Sequence, residues 1–107
     1  ADDAFRSLQS GKIVSNETIN TIYDGLRAQI GTITFPIIQE NVDGIITLSE
    51  EEIINSMQMI WERMKIIIEP SCAISLAAII KNREMFEGKK VGLIMSGGNV
   101  DLTQLPW

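Results

Sequence analysis

Two short apolar runs set the terms for this chain. Ile45-Ile46-Thr47-Leu48, mostly β-branched, reads as a short strand, and Val91-Gly92-Leu93-Ile94-Met95 as a short buried one. Helical patterns fill the sequence between them. Strands joined through helical crossovers run parallel in one sheet, so the expected class is α/β. Two strands make a poor sheet, and its neighbours must come from elsewhere. The start, Ala1-Asp2-Asp3-Ala4-Phe5, has no initiator Met and falls inside what reads as a helix. Both features lead us to expect a piece of a longer polypeptide.

At 107 residues the chain suits one small domain with a modest core. Its 9 basic and 14 acidic residues give a net charge of −5, which argues against nucleic acid, since phosphate binding needs a basic face. No stretch approaches the roughly 20 apolar residues of a membrane span. Histidine is absent, which excludes a His-based catalytic triad. With a single cysteine, Cys72, a structural zinc site and an internal disulfide are excluded as well. A lone thiol fits a reducing, cytoplasmic compartment.

Residues 2–10 predict a short helix with Ala4, Phe5 and Leu8 on one face, stopped by Gly11. Residues 12–22 read as a surface loop. Asp24-Gly25-Leu26 opens a brief helical segment ending at Gly31, with Gly25 either a turn glycine or a place of close backbone approach. Residues 34–42 form a compact helix that tolerates Pro36 in its first turn. The clearest signal is Ser49-Glu50-Glu51-Glu52, a capping box followed by Ile53, Ile54, Met57, Ile60, Trp61 and Met64 at helical spacing. Pro70 suits the first position of a further helix reaching Asn82, whose small residues would pack closely against a sheet. The order is α–α–α–β–α–α–β with a terminal turn.

The second strand runs into Ser96-Gly97-Gly98-Asn99. In open α/β sheets ligands sit just past the carboxyl ends of strands. Glycines 97 and 98 permit φ > 0 and close approach, while Ser96 and Asn99 supply groups that donate and accept. On spacing alone this is equally a strand-to-helix turn with Asp101 as the cap.

Five segments then occur in order: Thr21-Ile22-Tyr23-Asp24-Gly25-Leu26; Phe35-Pro36-Ile37-Ile38; Val42-Asp43-Gly44-Ile45; Trp61-Glu62-Arg63-Met64-Lys65-Ile66-Ile67-Ile68-Glu69-Pro70; and Ser96-Gly97-Gly98-Asn99-Val100-Asp101-Leu102. Together they resemble the C-terminal part of the large domain in the serine racemase and serine/threonine dehydratase family, the fold-type II, tryptophan synthase β-like enzymes that use pyridoxal 5′-phosphate (PLP). The resemblance covers nearly the whole chain. It implies that residues 1–107 are the C-terminal portion of the cofactor-binding domain, with helices around a parallel sheet that is incomplete here.

The resemblance also implies roles. Ser96 matches the serine whose hydroxyl meets the pyridine nitrogen of PLP, Gly25 the glycine beside the ring, and Glu69 an acidic residue near the cofactor. Asn99 belongs to the same closing turn. Ala1, through its carbonyl, and Asp3, through its carboxylate, match two ligands of a divalent-cation site for Mg²⁺, Ca²⁺ or Mn²⁺. A third, a glutamate, would lie upstream. Lys65 matches a position facing a nucleotide-binding dimer interface in ATP-stimulated racemases, though it reads equally as a surface lysine. Two positions depart from the family pattern: Cys72, where a small residue follows Glu-Pro, and Tyr23, which replaces a smaller residue.

The family's catalytic residues, its cofactor-carrying lysine and its phosphate-binding loop all lie upstream, so the chain alone should be catalytically dead. The expected activity, with the remaining N-terminal part, is removal of the α-proton from a hydroxy amino acid such as serine, threonine or 3-hydroxyaspartate. Racemisation or loss of the β-hydroxyl to a 2-oxo acid and ammonia would follow, in an enzyme expected to be a homodimer. The competing expectation is a free-standing, non-catalytic interaction or regulatory domain.

Overall fold

A computed structural model describes all residues from Ala1 to Trp107 as two compact units, Ala1–Thr47 and Leu48–Trp107. The first holds helix α1 (Asp3–Ser10), a 3₁₀ turn (Asp24–Leu26) and helix α2 (Thr34–Asn41). The second holds α3 (Glu50–Met64), α4 (Pro70–Lys81) and the one-turn α5 (Arg83–Phe86).

The first unit is tied by polar side chains at the start of α1. Asp3, only 4% exposed, accepts from Asn16 Nδ2 at 3.0 Å with one oxygen and from the Ile30 N–H at 2.9 Å with the other. Buried Ser7 accepts from the Val14 N–H at 2.9 Å. These bonds fold the loop after α1 back onto the helix, satisfying groups that burial would otherwise leave unpaired. The helix ends at Gly11, whose φ of 71° is the left-handed conformation glycine adopts without strain. Tyr23 and Phe35 provide the buried apolar side chains. The helical segment opened by Asp24 closes at Leu26, well short of Gly31.

The second unit is an antiparallel helical hairpin. At one end, Lys81 Nζ near the finish of α4 lies 3.0 Å from Glu52 Oε2 in the first turn of α3. At the other, Trp61 Nε1 donates to the Ile68 carbonyl at 3.0 Å, just before α4 begins. Ile53, Ser56, Met57 and Ile60 of α3 are buried, as are Cys72, Ala73 and Ala77 of α4. Each fully buried Met or Ile contributes about 1.5–3 kcal/mol. Of the expected stripe, Met64 is exposed instead, and Ser56 takes a place in the core. The small residues of α4 thus seat it against α3, not against a sheet within this chain.

The capping box forms as read from the sequence: the Glu52 N–H donates to Ser49 Oγ at 3.2 Å and the Ser49 N–H to Glu52 Oε2 at 2.7 Å. Helix α3 ends on Lys65, whose φ of 59° is the left-handed value usually reserved for glycine. Helix α5 carries no apolar periodicity in four residues and so left no sequence signal.

The two expected strands are not strands here. Residues 45–48 and 91–95 carry no regular secondary structure. A strand is defined by ladder hydrogen bonds to a neighbour, and neither segment finds one in this chain. Asp101 likewise caps no helix: its Oδ1 accepts from the Thr103 N–H at 2.8 Å and from the Thr103 hydroxyl at 2.7 Å, closing an Asx turn.

Ser49→Ala should cost about 1 kcal/mol, read as a lower urea midpoint with unchanged m value. The backbone N–H of Ser49, and after it Lys81, hold the Glu52 carboxyl below its ordinary range. A carboxyl with a depressed folded-state pKa stabilises above its unfolded pKa of about 4.3, and that contribution is lost as pH falls through the folded value. Acid titration of thermal stability should therefore be steeper below about pH 4.3 in the natural chain than in Glu52→Gln.

Candidate functional site

The extended backbone just before Pro70 and the glycine turn meet in the second unit. The Glu69 N–H donates to the Gly97 carbonyl at 3.0 Å. The Glu69 side chain then reaches across: its Oε2 accepts from the Asn99 N–H at 3.1 Å, and its Oε1 from the Ser71 hydroxyl at 2.6 Å. One residue thus holds the turn at both ends of its Gly97-Gly98 step. By backbone geometry Glu69 is the N-cap of α4, yet its carboxylate makes no cap bond. The carboxylate serves the turn instead of the helix.

Close approach explains the two glycines, and positive φ does not: neither lies in the left-handed region. A Cβ on Gly97 would sit 3.0 Å from Glu69 Oε2, and one on Gly98 would sit 2.8 Å from the Ile67 carbonyl oxygen. Any side chain at 98 therefore collides with backbone, which cannot swing away. Cys72 Sγ lies 3.8 Å from Met95 Sδ, a soft contact between a buried thiol and the residue preceding Ser96. Trp61 stacks edge-on against Trp107 with ring centroids 5.3 Å apart.

Ser96 opens this turn. Its side chain is exposed and takes no hydrogen bond within the chain. The arrangement therefore presents a free hydroxyl, a group that donates or accepts, on a backbone held by hydrogen bonds at Gly97 and Asn99. Such a hydroxyl fits a neutral ring nitrogen, to which it would donate.

Of the residues singled out from the sequence, Glu69, Ser96 and Asn99 come together. Asn99 takes part through its backbone N–H. Gly25, Ala1 and Asp3 belong to the other unit: Gly25 is exposed in the 3₁₀ turn, Ala1 is exposed, and Asp3 is buried as described. No group of three His, Cys, Asp or Glu side chains suited to a metal occurs. One carbonyl and one carboxylate already accepting two N–H bonds fall short of the six or more oxygens a hard cation takes. Tyr23 is a core side chain of the first unit, 2% exposed. Ser71 was not legible beforehand: two residues after Glu69 it reads as an ordinary first-turn helix serine.

A family described as "Pyridoxal-phosphate dependent enzyme" matches residues 1–97. The chain belongs to that family. The serine racemase of Dictyostelium discoideum is 54% identical over 98% of this chain and 34% of its own length. The beta-hydroxyaspartate dehydratase of Paracoccus denitrificans is 45% identical over 100% of this chain and 34% of its own. The solved structure of maize serine racemase superposes with a TM-score of 0.90 at 42% identity, over 96% of this chain and 34% of that one. The chain spans about a third of the length of the curated relatives it matches. No helix is long and apolar enough to cross a membrane.

Gly98→Ala should cost about 1–3 kcal/mol by overpacking against the Ile67 carbonyl. Gly97→Ala should cost less, because a carboxylate can rotate where a backbone carbonyl cannot. Parallel thermal melts of the two variants check the order.

Proposed function

We propose that this chain is the C-terminal portion of the PLP-binding large domain of a serine racemase or an L-serine/L-threonine dehydratase, an ammonia-lyase. In this reading the enzyme takes the α-proton from a hydroxy amino acid and either returns it or expels the β-hydroxyl. The observation that carries the proposal is the exposed, unengaged hydroxyl of Ser96 on a turn fixed by Glu69. Family membership over residues 1–97 and the names of the relatives support it.

When bound, PLP supplies an electron sink for the bond to the substrate's Cα hydrogen. The role of this chain is to place one neutral donor. The Ser96 hydroxyl would donate to the pyridine nitrogen and leave it unprotonated, whereas a carboxylate there would keep it protonated and make the ring a stronger sink. Glu69 and Asn99 keep the donor in register. Gly25 would lie beside the ring, where a side chain would crowd it. The lysine that carries the cofactor and the base on the opposite face would come from the upstream part.

Exposed apolar side chains fit this incompleteness. Ile33 is 80% and Ile94 83% exposed, and Ile67, Met64 and Val91 are also uncovered. Exposed apolar surface on this scale marks a surface meant for a partner. In the proposal, that partner is the remainder of the same enzyme, and residues 45–48 and 91–95 become strands of its sheet. The same observation supports a second reading, a free-standing interaction or regulatory domain. A divalent cation at Ala1 and Asp3 would require its other oxygen ligands from outside this chain, and homodimerisation, ATP stimulation through Lys65 and a cytoplasmic location remain part of the proposal.

In the full-length enzyme carrying this sequence, Ser96→Ala should weaken PLP binding roughly 3–10-fold, the range expected for one lost hydrogen bond. Ser96→Asp should change the bound cofactor's absorbance and the ratio of racemisation to elimination. Unchanged cofactor affinity and spectrum in both variants would overturn Ser96 as the partner of the ring nitrogen.

A further inference from the structure

We propose that Ser71 is a positioning residue for Ser96, acting through the Glu69 carboxylate; this rests on the reading of Ser96 as the cofactor's partner. Three observations lead to it. Glu69 occupies the N-cap of α4 but gives the helix no side-chain bond. Both of its oxygens are taken instead, Oε1 by the Ser71 hydroxyl at 2.6 Å and Oε2 by the Asn99 N–H at 3.1 Å. Gly97 leaves room for the carboxylate, whose Oε2 a Cβ at 97 would approach to 3.0 Å, a tight contact.

A glutamate side chain has three rotatable bonds, and a single bond to Asn99 would leave the carboxylate free to pivot. The short Ser71 bond fixes the second oxygen and so fixes the plane of the group. The turn that begins with Ser96 is then held by an acceptor with one orientation. Both donors require acceptor oxygens, and a carboxylate has two where glutamine at 69 has one acceptor oxygen and an NH₂ that only donates. Ser71 has no other evident task. It sits in the first turn of α4, where alanine is a better helix former than serine. If it were only a helix residue, replacing it with alanine would leave the cofactor untouched.

The test uses the full-length holoenzyme and a double-mutant cycle of Ser71→Ala and Ser96→Ala, with Ser71→Thr as the variant that keeps the hydroxyl. PLP dissociation constants come from equilibrium dialysis, and the environment of the bound ring from its fluorescence. Ser71→Ala should weaken PLP roughly 3–10-fold and shift the bound-cofactor fluorescence. Ser71→Thr should restore both, and the Ser71→Ala effect should vanish when Ser96 is already alanine. An effect of Ser71→Ala that is absent, or equal in both backgrounds, overturns the positioning role while leaving Ser96 as the partner. A Ser96→Ala single variant with unchanged affinity and fluorescence removes the cofactor reading itself, and the positioning role with it.

Discussion

The contact between Glu69 and the turn at 97–99 is the interaction on which the site depends. Two segments distant in sequence, one leaving α3 and one closing the chain, are joined by a backbone bond from Glu69 to Gly97 and a side-chain bond from Glu69 to Asn99. The join needs the space left by the missing Cβ at 98, and the missing Cβ at 97 eases the Glu69 contact. Remove the space, and the carboxylate or the Ile67 carbonyl must move. Remove the carboxylate, and the turn keeps a single backbone bond. The backbone that carries the Ser96 hydroxyl is held through Gly97 and Asn99.

The helical hairpin underneath gives that contact its rigidity. Helices α3 and α4 bury Met57, Ile60, Cys72 and Ala73, and their two ends are closed by Glu52 with Lys81 and by Trp61 with the Ile68 carbonyl. The Trp61 bond lands one residue before Glu69, so packing of the hairpin is passed directly to the start of α4. An exposed ion pair such as Glu52–Lys81 contributes little alone, and burial of the apolar faces dominates.

What could be read from the sequence follows how local each signal is. The Ser49 capping box, Pro70 at the head of α4 and Gly11 at the end of α1 each depend on a few adjacent residues, and all form as expected. The strands at 45–48 and 91–95 depend on ladder partners, which no local pattern supplies, and both segments are irregular here. Ser96, Glu69 and Asn99 were singled out together by resemblance, and the structure joins Glu69 to the turn that Ser96 opens. The two glycines allowed either left-handed backbone or close approach, and the structure uses close approach, to the Glu69 carboxylate and the Ile67 carbonyl. Ser71 escaped notice because its partner is set by the side-chain conformation of Glu69, a feature that spacing does not encode.

The central claim is that the turn held by Glu69 aims a neutral hydroxyl at the ring nitrogen of PLP. A crystal structure of the full-length enzyme with its cofactor tests it most directly. The account predicts Ser96 Oγ about 2.7–3.0 Å from the pyridine nitrogen, with the Glu69 carboxylate still accepting from Asn99 and Ser71. A ring nitrogen facing another residue, with Ser96 turned to solvent, would contradict it.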